Sequence, residues 1–255
     1  MAVLSEPPVL AASALTRHFG GLSAVDGVDL AIAPGEIVGI AGPNGAGKST
    51  LLDLLSGRQR PSSGEVYLLG DRITGLGPHV RARLGIARSY QAPQTAEGLT
   101  VAEIVEAAIV AYGHKVDRDR VEEVFAFFQL DPRSSRLAGA LDTLSRRKLL
   151  LACGVLRQPK ILLLDEPCSG LLSEEISELE ALVRVLCVDG TSFIEPVPAV
   201  VIEHRLELLE ALSTRTLVMD AGRVIADGQF EEVFALPEVR RAYFLTDDDP
   251  LEAGL

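Results

Sequence analysis

Gly42-Pro43-Asn44-Gly45-Ala46-Gly47-Lys48-Ser49-Thr50 is the most informative stretch of the chain, because it matches the phosphate-binding pattern G-x-x-x-x-G-K-[ST]. The apolar run 37–41 before it is typical of a strand, and the run 51–55 behind it is typical of a helix. This strand–loop–helix order is the context in which the motif binds phosphate. The stretch therefore predicts that the chain binds a nucleoside triphosphate. The alternative is an ordinary glycine-rich turn.

Each residue type in this loop has a use at a phosphate chain. Glycines let backbone N–H groups approach the phosphates without obstruction by side chains. Lys48 adds positive charge near the terminal phosphates, and the hydroxyl of Ser49 can ligate Mg²⁺. A helix that begins at Lys48 points the positive end of its dipole at the same anion.

Size and composition predict a cytosolic protein that contacts a membrane only through a partner. The 255 residues suffice for one large core with a small lobe, and 47% hydrophobic with 24% charged residues is typical of a globular protein. The longest apolar run, 149–156, is far below the roughly 20 residues of a membrane-spanning helix. The N-terminal residues lack the features of a secretory signal. A net charge of −12 argues against nucleic acid as the main partner.

The hydrophobic pattern predicts an α/β fold. Residues 9–41 alternate apolar runs with turn residues, which indicates antiparallel strands and hairpins. Residues 92–144 show helical spacing and no good strand, so a helical lobe inserted into the core is expected. Helices are expected at 79–85, 146–157, 174–186 and 206–212, and strands at 64–70, 85–91, 161–164, 199–202, 216–219 and 223–226. This alternation implies a mainly parallel sheet, with ligands at the carboxyl ends of its strands.

Two carboxylates follow the apolar run Ile161–Leu164. Asp165 is placed to hold Mg²⁺ directly or through water. Glu166 points elsewhere and can polarise a water for attack on the γ-phosphate. The alternative is a buried strand that ends in an ordinary acidic turn.

Two further polar residues end predicted strands. A lone histidine is more often structural, but His204, beside a phosphate site, can contact the γ-phosphate and hold the attacking water. Gln91 could reach Mg²⁺ or water. Because it also starts the helical lobe, it could couple the nucleotide state to the position of that lobe.

In this order the motifs resemble those of the ATP-binding subunits of ABC transporters. GPNGAGKST is similar to the Walker A motif, RSYQ (88–91) to the Q-loop, ILLLDEP to Walker B with its catalytic glutamate, and IEH (202–204) to the switch histidine. The resemblance covers nearly the whole chain. It implies an ATPase with a RecA-like P-loop NTPase core, an N-terminal antiparallel β-subdomain and an inserted helical subdomain.

The resemblance also implies boundaries and residue roles. The chain would be a single domain, 1–255, with its nucleotide-binding core at 1–91 and 145–255 and its helical subdomain at 92–144. Catalysis would use Lys48, Gln91, Glu166 and His204, and Mg²⁺ would be held by Ser49, Gln91 and Asp165. ATP would lie on residues 42–50, with Phe19 stacked on adenine; the alternative is that Phe19 is a plain core residue.

Three stretches look most like branched-chain amino acid importers, with the lipopolysaccharide-export ATPase as a near relative: LTRHFGGLSAVDGVDL (15–30), RARLGIARSYQ (81–91) and PEVRRAYF (237–244). Such a subunit would pair with a second ATPase subunit, identical or different, around two ATP molecules. It would bind transmembrane permease subunits and lie in the cytoplasm, peripheral on the inner face of the cell membrane.

The chain departs from the family at its signature sequence, L-S-G-G-Q, which contacts the ATP of the opposite subunit. Leu144-Ser145-Arg146-Arg147-Lys148 stands there, as though Gly-Gly-Gln had been removed. Ser145 could still sit at a helix N-terminus and face that phosphate. The close-approaching glycine backbone is gone. Because arginine can pair with phosphate, weak binding is expected without the geometry for hydrolysis.

Two other segments differ from the family pattern. The D-loop ends on an apolar residue, in Ser169-Gly170-Leu171-Leu172, and Arg205 replaces the usual Asp after the histidine. The stretch between Gly190 and His204 is several residues longer, and its prolines cannot donate to a strand ladder. A loop at 191–198 is therefore expected, and the position of His204 is left open.

The leading hypothesis is an importer ATPase for branched-chain or similar amino acids that hydrolyses little ATP alone. One alternative is a cytosolic ABC-type switch without a transport role. The other is a catalytically decayed subunit that only binds nucleotide.

Overall fold

The computed structural model describes residues 7–90, 95–112 and 116–244. Ten strands occur in this part of the chain: β1 Leu10–Phe19, β2 Leu22–Ile32, β3 Ile37–Ala41, β4 Ser63–Leu68, β5 Asp71–Arg72, β6 Ile86–Arg88, β7 Ile161–Asp165, β8 Ala199–Ile202, β9 Arg215–Asp220 and β10 Arg223–Gly228. The α-helices are α1 Lys48–Ser56, α2 Pro78–Leu84, α3 Val101–Tyr112, α4 Arg118–Phe127, α5 Thr143–Val155, α6 Ser173–Arg184, α7 Leu206–Leu212, α8 Phe230–Ala235 and α9 Pro237–Phe244. A 3-10 turn lies at Ala138–Ala140, and a π-helical turn at Val185–Asp189 follows α6.

The central sheet has six strands in the order β10-β9-β3-β8-β7-β6. Its strands pair in parallel except β10, which is antiparallel to β9. The expected parallel sheet is confirmed, and so is the α/β fold class. Strands β3 and β7 end on the same side of this sheet. The phosphate loop follows β3 there, and Glu166 follows β7.

The central sheet is buried on both faces. Along β7, Ile161 and Leu163 belong to one apolar cluster, whereas Leu162 and Leu164 belong to another. Strand β7 therefore contributes alternate side chains to two separate cores, and β8 does the same. This two-sided burial explains why the parallel strands are continuous apolar runs in the sequence.

A second sheet of four antiparallel strands has the order β2-β1-β4-β5. It corrects the expectation that all of residues 9–41 form antiparallel strands, because β3 lies in the centre of the parallel sheet. An apolar run has the same local pattern in either sheet, so its partners decide the outcome. The expected strand near 64–70 is real, but it belongs to the antiparallel sheet.

The insertion 191–198 forms a loop, as expected. It packs against helix α4, where the ring of Phe193 meets that of Phe127 with centroids 5.6 Å apart. Arg120 also donates from Nη1 to the carbonyl oxygen of Phe193, at 2.5 Å. The insertion thus joins α4 to the chain that leads into β8.

Candidate nucleotide site

The phosphate loop, residues 42–48, turns sharply from β3 into α1. Gly47 has a φ of 101°, and a Cβ added there would collide with the carbonyl oxygen of Ala24. Gly42 has a φ of 146°, and a Cβ added there would collide in the same way with the carbonyl oxygen of Met219. These positions therefore require glycine. Helix α1 begins at Lys48, so its first N–H groups face the same side as the loop.

Lys48 is bound to its own loop. Its Nζ donates to the carbonyl oxygen of Gly42 at 2.6 Å and to that of Pro43 at 2.9 Å. Burial lowers the pKa of the ammonium, and the nearby carboxylates of Glu166 and Asp165 oppose that shift. The structure thus places the ammonium of Lys48 against the first residues of its own loop; its contact with a terminal phosphate stays a prediction.

Asp165 ends β7 and contacts both sides of the site. Its Oδ1 accepts from the hydroxyl of Ser49 at 3.2 Å, and its Oδ2 lies 3.0 Å from Nη2 of Arg88. Burial raises the pKa of Asp165, while Arg88 and the Ser49 hydroxyl act in the opposite direction. Arg88 also binds Asp53 of α1, with Nη1 2.7 Å from Oδ1. The sequence did not predict this ion-pair network. The only indication was that an arginine stands at the end of a predicted strand, three residues before Gln91.

The residues around Asp165 fit a magnesium ion that is bound together with phosphate. Ser49 and Asp165 bring two side-chain oxygens within 3.2 Å of each other at the carboxyl ends of the strands, where both could ligate such an ion. Within the described residues, no cluster of three or more His, Cys, Asp and Glu could hold a metal alone. Mg²⁺ usually binds through one or two carboxylates, water and substrate phosphates. Gln91, the third expected ligand, lies outside the described residues.

Glu166 and His204 form a pair. Nε2 of His204 lies 2.8 Å from Oε1 of Glu166, although the two residues come from different strand ends. The insertion at 191–198 therefore does not remove His204 from the site. A carboxylate beside an imidazole can orient a water and accept its proton.

Lys48, Ser49, Glu166 and His204 line one cleft of about 360 Å³, whereas Asp165 and Arg88 are not among its wall residues. Its walls are Phe19, Leu22, Ala24, Asn44, Gly45, Ala46, Gly47, Lys48, Ser49, Thr50, Glu166 and His204. Phe19 lies at the rim and is 44% exposed, and the guanidinium of Arg17 is 4.6 Å from its ring centroid. Its exposure fits a stacking surface better than a plain core residue.

Ser145 lies in the first turn of α5 and does not line this cleft. The carboxylate of Asp142, which caps the helix, accepts from the Ser145 N–H at 2.7 Å and from its hydroxyl at 2.9 Å. The serine hydroxyl is therefore engaged within its own helix turn.

The basic residues after Ser145 are also engaged within the chain. Arg147 is buried and donates to the carbonyl oxygen of Glu166 at 3.2 Å and to that of Ser169. Lys148 binds the carboxylate of Glu178 on α6. Only Arg146 has a partly exposed side chain, 27%, and its Nε donates to the Leu141 carbonyl at 3.0 Å. The expectation that these arginines face a phosphate is thus wrong for Arg147, because its guanidinium satisfies two backbone carbonyls.

The comparisons with known proteins agree with this geometry. The family model "ABC transporter" matches residues 25–169. The high-affinity branched-chain amino acid transport ATP-binding protein BraF of Pseudomonas aeruginosa is 32% identical over 92% of this chain and 97% of its own length. The ribose import ATP-binding protein RbsA 3 of Rubrobacter xylanophilus is 34% identical over 89% of this chain but 46% of its own length. A crystal structure of the ADP conformation of an ABC transporter cassette has a TM-score of 0.81 at 26% identity, covering 92% of this chain and 98% of that one.

No helix in the described part of the chain is long and apolar enough to span a bilayer.

Proposed function

Because the chain belongs to the ABC transporter family of ATPases, we propose that it is the ATP-binding subunit of an importer for branched-chain or similar amino acids. The observation that carries the proposal is the single cleft that holds the phosphate loop, Glu166 and His204. The similarity to BraF over almost its whole length favours an amino acid as the cargo. The chain is also similar to a ribose import protein, but it spans only 46% of that protein's length.

ATP binds along the rim and floor of the cleft in this proposal. The adenine stacks on Phe19, and the amides of residues 42–50 surround the phosphates. Lys48 turns from the carbonyl oxygens of its loop to the terminal phosphates. Ser49 and Asp165, with Gln91, would hold Mg²⁺, which would offset the negative charge of the phosphate oxygens.

Glu166 acts as the general base. Its Oε1 accepts the proton of a water whose oxygen attacks the γ-phosphorus while the bond from that phosphorus to the β,γ-bridging oxygen breaks and ADP leaves; His204 keeps that water and the carboxylate in line. The 2.8 Å contact between Nε2 of His204 and Oε1 of Glu166 supports this division of roles. Lys48 stabilises the charge that develops on the phosphate oxygens.

The altered signature would impair both composite sites in a dimer of two copies of this chain, but only one of the two in a dimer with a different ATPase subunit. The Ser145 hydroxyl binds Asp142, and Arg147 and Lys148 bind groups of their own chain. These side chains are poorly placed to hold a nucleotide on a second subunit. We therefore infer that this chain pairs with a different ATPase subunit, whose intact signature completes the site at Lys48. The reciprocal site, built on Ser145, is impaired.

The remaining assignments follow from membership of a transport complex. Residues 92–144 form the helical subdomain, and 1–91 with 145–255 form the nucleotide-binding core of one domain.

Permease subunits hold the chain at the inner face of the cell membrane, in the cytoplasm. Nucleic acid is not a partner. Hydrolysis opens the ATPase pair and moves the permeases as rigid bodies.

The first experiment measures magnesium-dependent ATP binding by calorimetry. Lys48→Ala should abolish most of the binding, whereas Lys160→Ala, at an exposed lysine, should leave it unchanged. Wild-type protein that is folded but binds no nucleotide would overturn the proposal.

The second experiment measures ATPase activity with and without a candidate partner subunit. Low activity alone and high activity in the mixture are expected. Robust turnover by the chain alone would contradict the impaired site, and no turnover in any mixture would favour a decayed subunit. Co-purification with ribosomes or DNA rather than with polytopic membrane proteins would favour a switch without a transport role.

A further inference from the structure

The C-terminal helix α9 reaches the start of the phosphate loop. The hydroxyl of Tyr243, near the end of α9, accepts a hydrogen bond from the backbone N–H of Gly42. These two residues are separated by most of the chain, so tertiary packing alone brings them together.

The ring of Tyr243 is held in place by aromatic packing. It meets the ring of Phe234 edge-on with centroids 5.4 Å apart, and Phe234 packs on Phe230 at 4.6 Å. These side chains cover the apolar cluster that contains Ala41, the last residue of β3, and Val218, its partner on β9. Burial raises the pKa of the Tyr243 hydroxyl to about 12, so the group is neutral at physiological pH. The apolar packing accounts for the position of the ring, and the hydrogen bond to Gly42 gives the hydroxyl a partner.

Gly42 is the point where the loop leaves the sheet. The pairing of β3 with β9 ends at Ala41 and Val218. The next residue, Pro43, has no N–H, so the Gly42 N–H is the last backbone donor before Asn44. Tyr243 therefore supplies an acceptor where the ladder stops.

Gly42 also carries the carbonyl oxygen that holds Lys48, 2.6 Å from Nζ. Its N–H is fixed by Tyr243 and its carbonyl is bonded to the ammonium. A movement of the Gly42 backbone would change the position from which Lys48 reaches a phosphate. The contact chain thus runs from α9 through Gly42 to Lys48.

We propose that Tyr243 is a positioning residue for the phosphate loop. Its hydroxyl fixes the backbone of Gly42 and preorganises the loop for a triphosphate, so that α9 is linked to the nucleotide site. The effect on nucleotide affinity rests on the proposed function; the effect on loop order does not.

The test uses Tyr243→Phe, which keeps the ring and removes only the hydroxyl. Tyr67→Phe is the matched control, because the Tyr67 hydroxyl bonds Glu65 within the antiparallel sheet. Amide hydrogen exchange of the nucleotide-free protein is followed in peptides that cover the phosphate loop and α9. We expect severalfold faster exchange in the loop peptide of Tyr243→Phe, with α9 unchanged and the control like wild type.

The second readout is the Kd of a fluorescent ATP analogue with Mg²⁺. Tyr243→Phe should weaken binding by about tenfold, the effect of one buried hydrogen bond, and raise KM more than it lowers kcat. Loop exchange equal to that of wild type, or faster exchange in α9 to the same degree as in the loop, would overturn the proposal. If wild type binds no nucleotide, the proposed function fails and the exchange data alone decide the role of Tyr243.

Discussion

Nε2 of His204 lies 2.8 Å from Oε1 of Glu166, and Glu166 has a positive φ of 46°. A left-handed conformation costs a residue other than glycine about 1–2 kcal/mol, so the surrounding contacts must offset it. The Glu166 N–H donates to the Ile202 carbonyl at 2.9 Å, and its carbonyl accepts from Arg147. This backbone turn sends the carboxylate of Glu166 away from that of Asp165 and toward the histidine.

Glu166→Gln should lower ATP turnover by about 10²–10⁴, the usual contribution of a general base, and leave Mg–ATP binding intact. His204→Ala should lower turnover as well. Because the two residues act as a unit, the double variant should be no slower than Glu166→Gln alone. Steady-state ATPase assays in the presence of the partner subunit measure this, with Glu231→Gln, at an exposed glutamate, as the control. Additive losses would show that the residues act separately.

Arg147→Ala should lower the free energy of unfolding by about 2–3 kcal/mol, because the buried carbonyl oxygen of Glu166 and the partly buried one of Ser169 lose a charged donor. It should also reduce turnover, since one of these carbonyls belongs to Glu166. Urea denaturation and ATPase assays check the two effects. Arg118→Ala, at an exposed position on α4, should change neither. Unchanged stability in Arg147→Ala would refute the anchoring role.

Asp142→Ala should lower the free energy of unfolding at pH 7 by about 1 kcal/mol, the typical value of a helix cap. The Ser145 N–H, with its hydroxyl, holds the pKa of Asp142 below the ordinary value of 3.8. A carboxyl with a lowered folded-state pKa stabilises the fold above its unfolded pKa, and this stabilisation is lost as the pH falls through the folded pKa. The loss of unfolding free energy in Asp142→Ala, relative to wild type, should therefore be largest at pH 7 and become smaller below about pH 4.

Denaturation series at several pH values test this sign. Asp142→Asn is the matched control, because asparagine also caps helices but carries no charge. It should show a smaller deficit at pH 7. A deficit in Asp142→Ala that grows on acidification would rule out the capping carboxylate as its source.

Phe193→Ala should lower the free energy of unfolding by about 1–2 kcal/mol, because the insertion loses its edge-on contact with Phe127. Phe193→Leu keeps apolar area and should lose less. Differential scanning calorimetry of the two variants measures the ranking. Equal melting temperatures for wild type and both variants would mean that the insertion does not brace α4.

Much of the fold could be predicted from the sequence because its strongest signals are local. The apolar runs at 161–164 and 199–202 are β7 and β8, and the phosphate loop lies between a strand and a helix. Whether a run joins the parallel or the antiparallel sheet depends on distant partners, which is why β3 was grouped wrongly. Strand β5 and helices α8 and α9 were missed, because a two-residue strand and helices of six and eight residues leave little periodicity.

The site divides in the same way. Lys48, Asp165 and Glu166 belong to continuous motifs and lie where expected, although their roles stay predictions. Arg88 and Tyr243 were not expected to touch the site, because their partners are far away in the sequence. The inward orientation of Arg147 was also not foreseen, since it depends on α5 packing beneath the residues that follow β7.

The two bonds from Lys48 to the carbonyl oxygens of Gly42 and Pro43 have a consequence for turnover. When the nucleotide dissociates, the Lys48 ammonium can bond these two carbonyl oxygens again, so the buried charge keeps hydrogen-bond partners. A nucleotide that binds must displace these two neutral carbonyl oxygens from the Lys48 ammonium. If Lys48 binds the terminal phosphates as proposed, we expect a more highly charged phosphate chain to compete better, so that ATP is favoured over ADP.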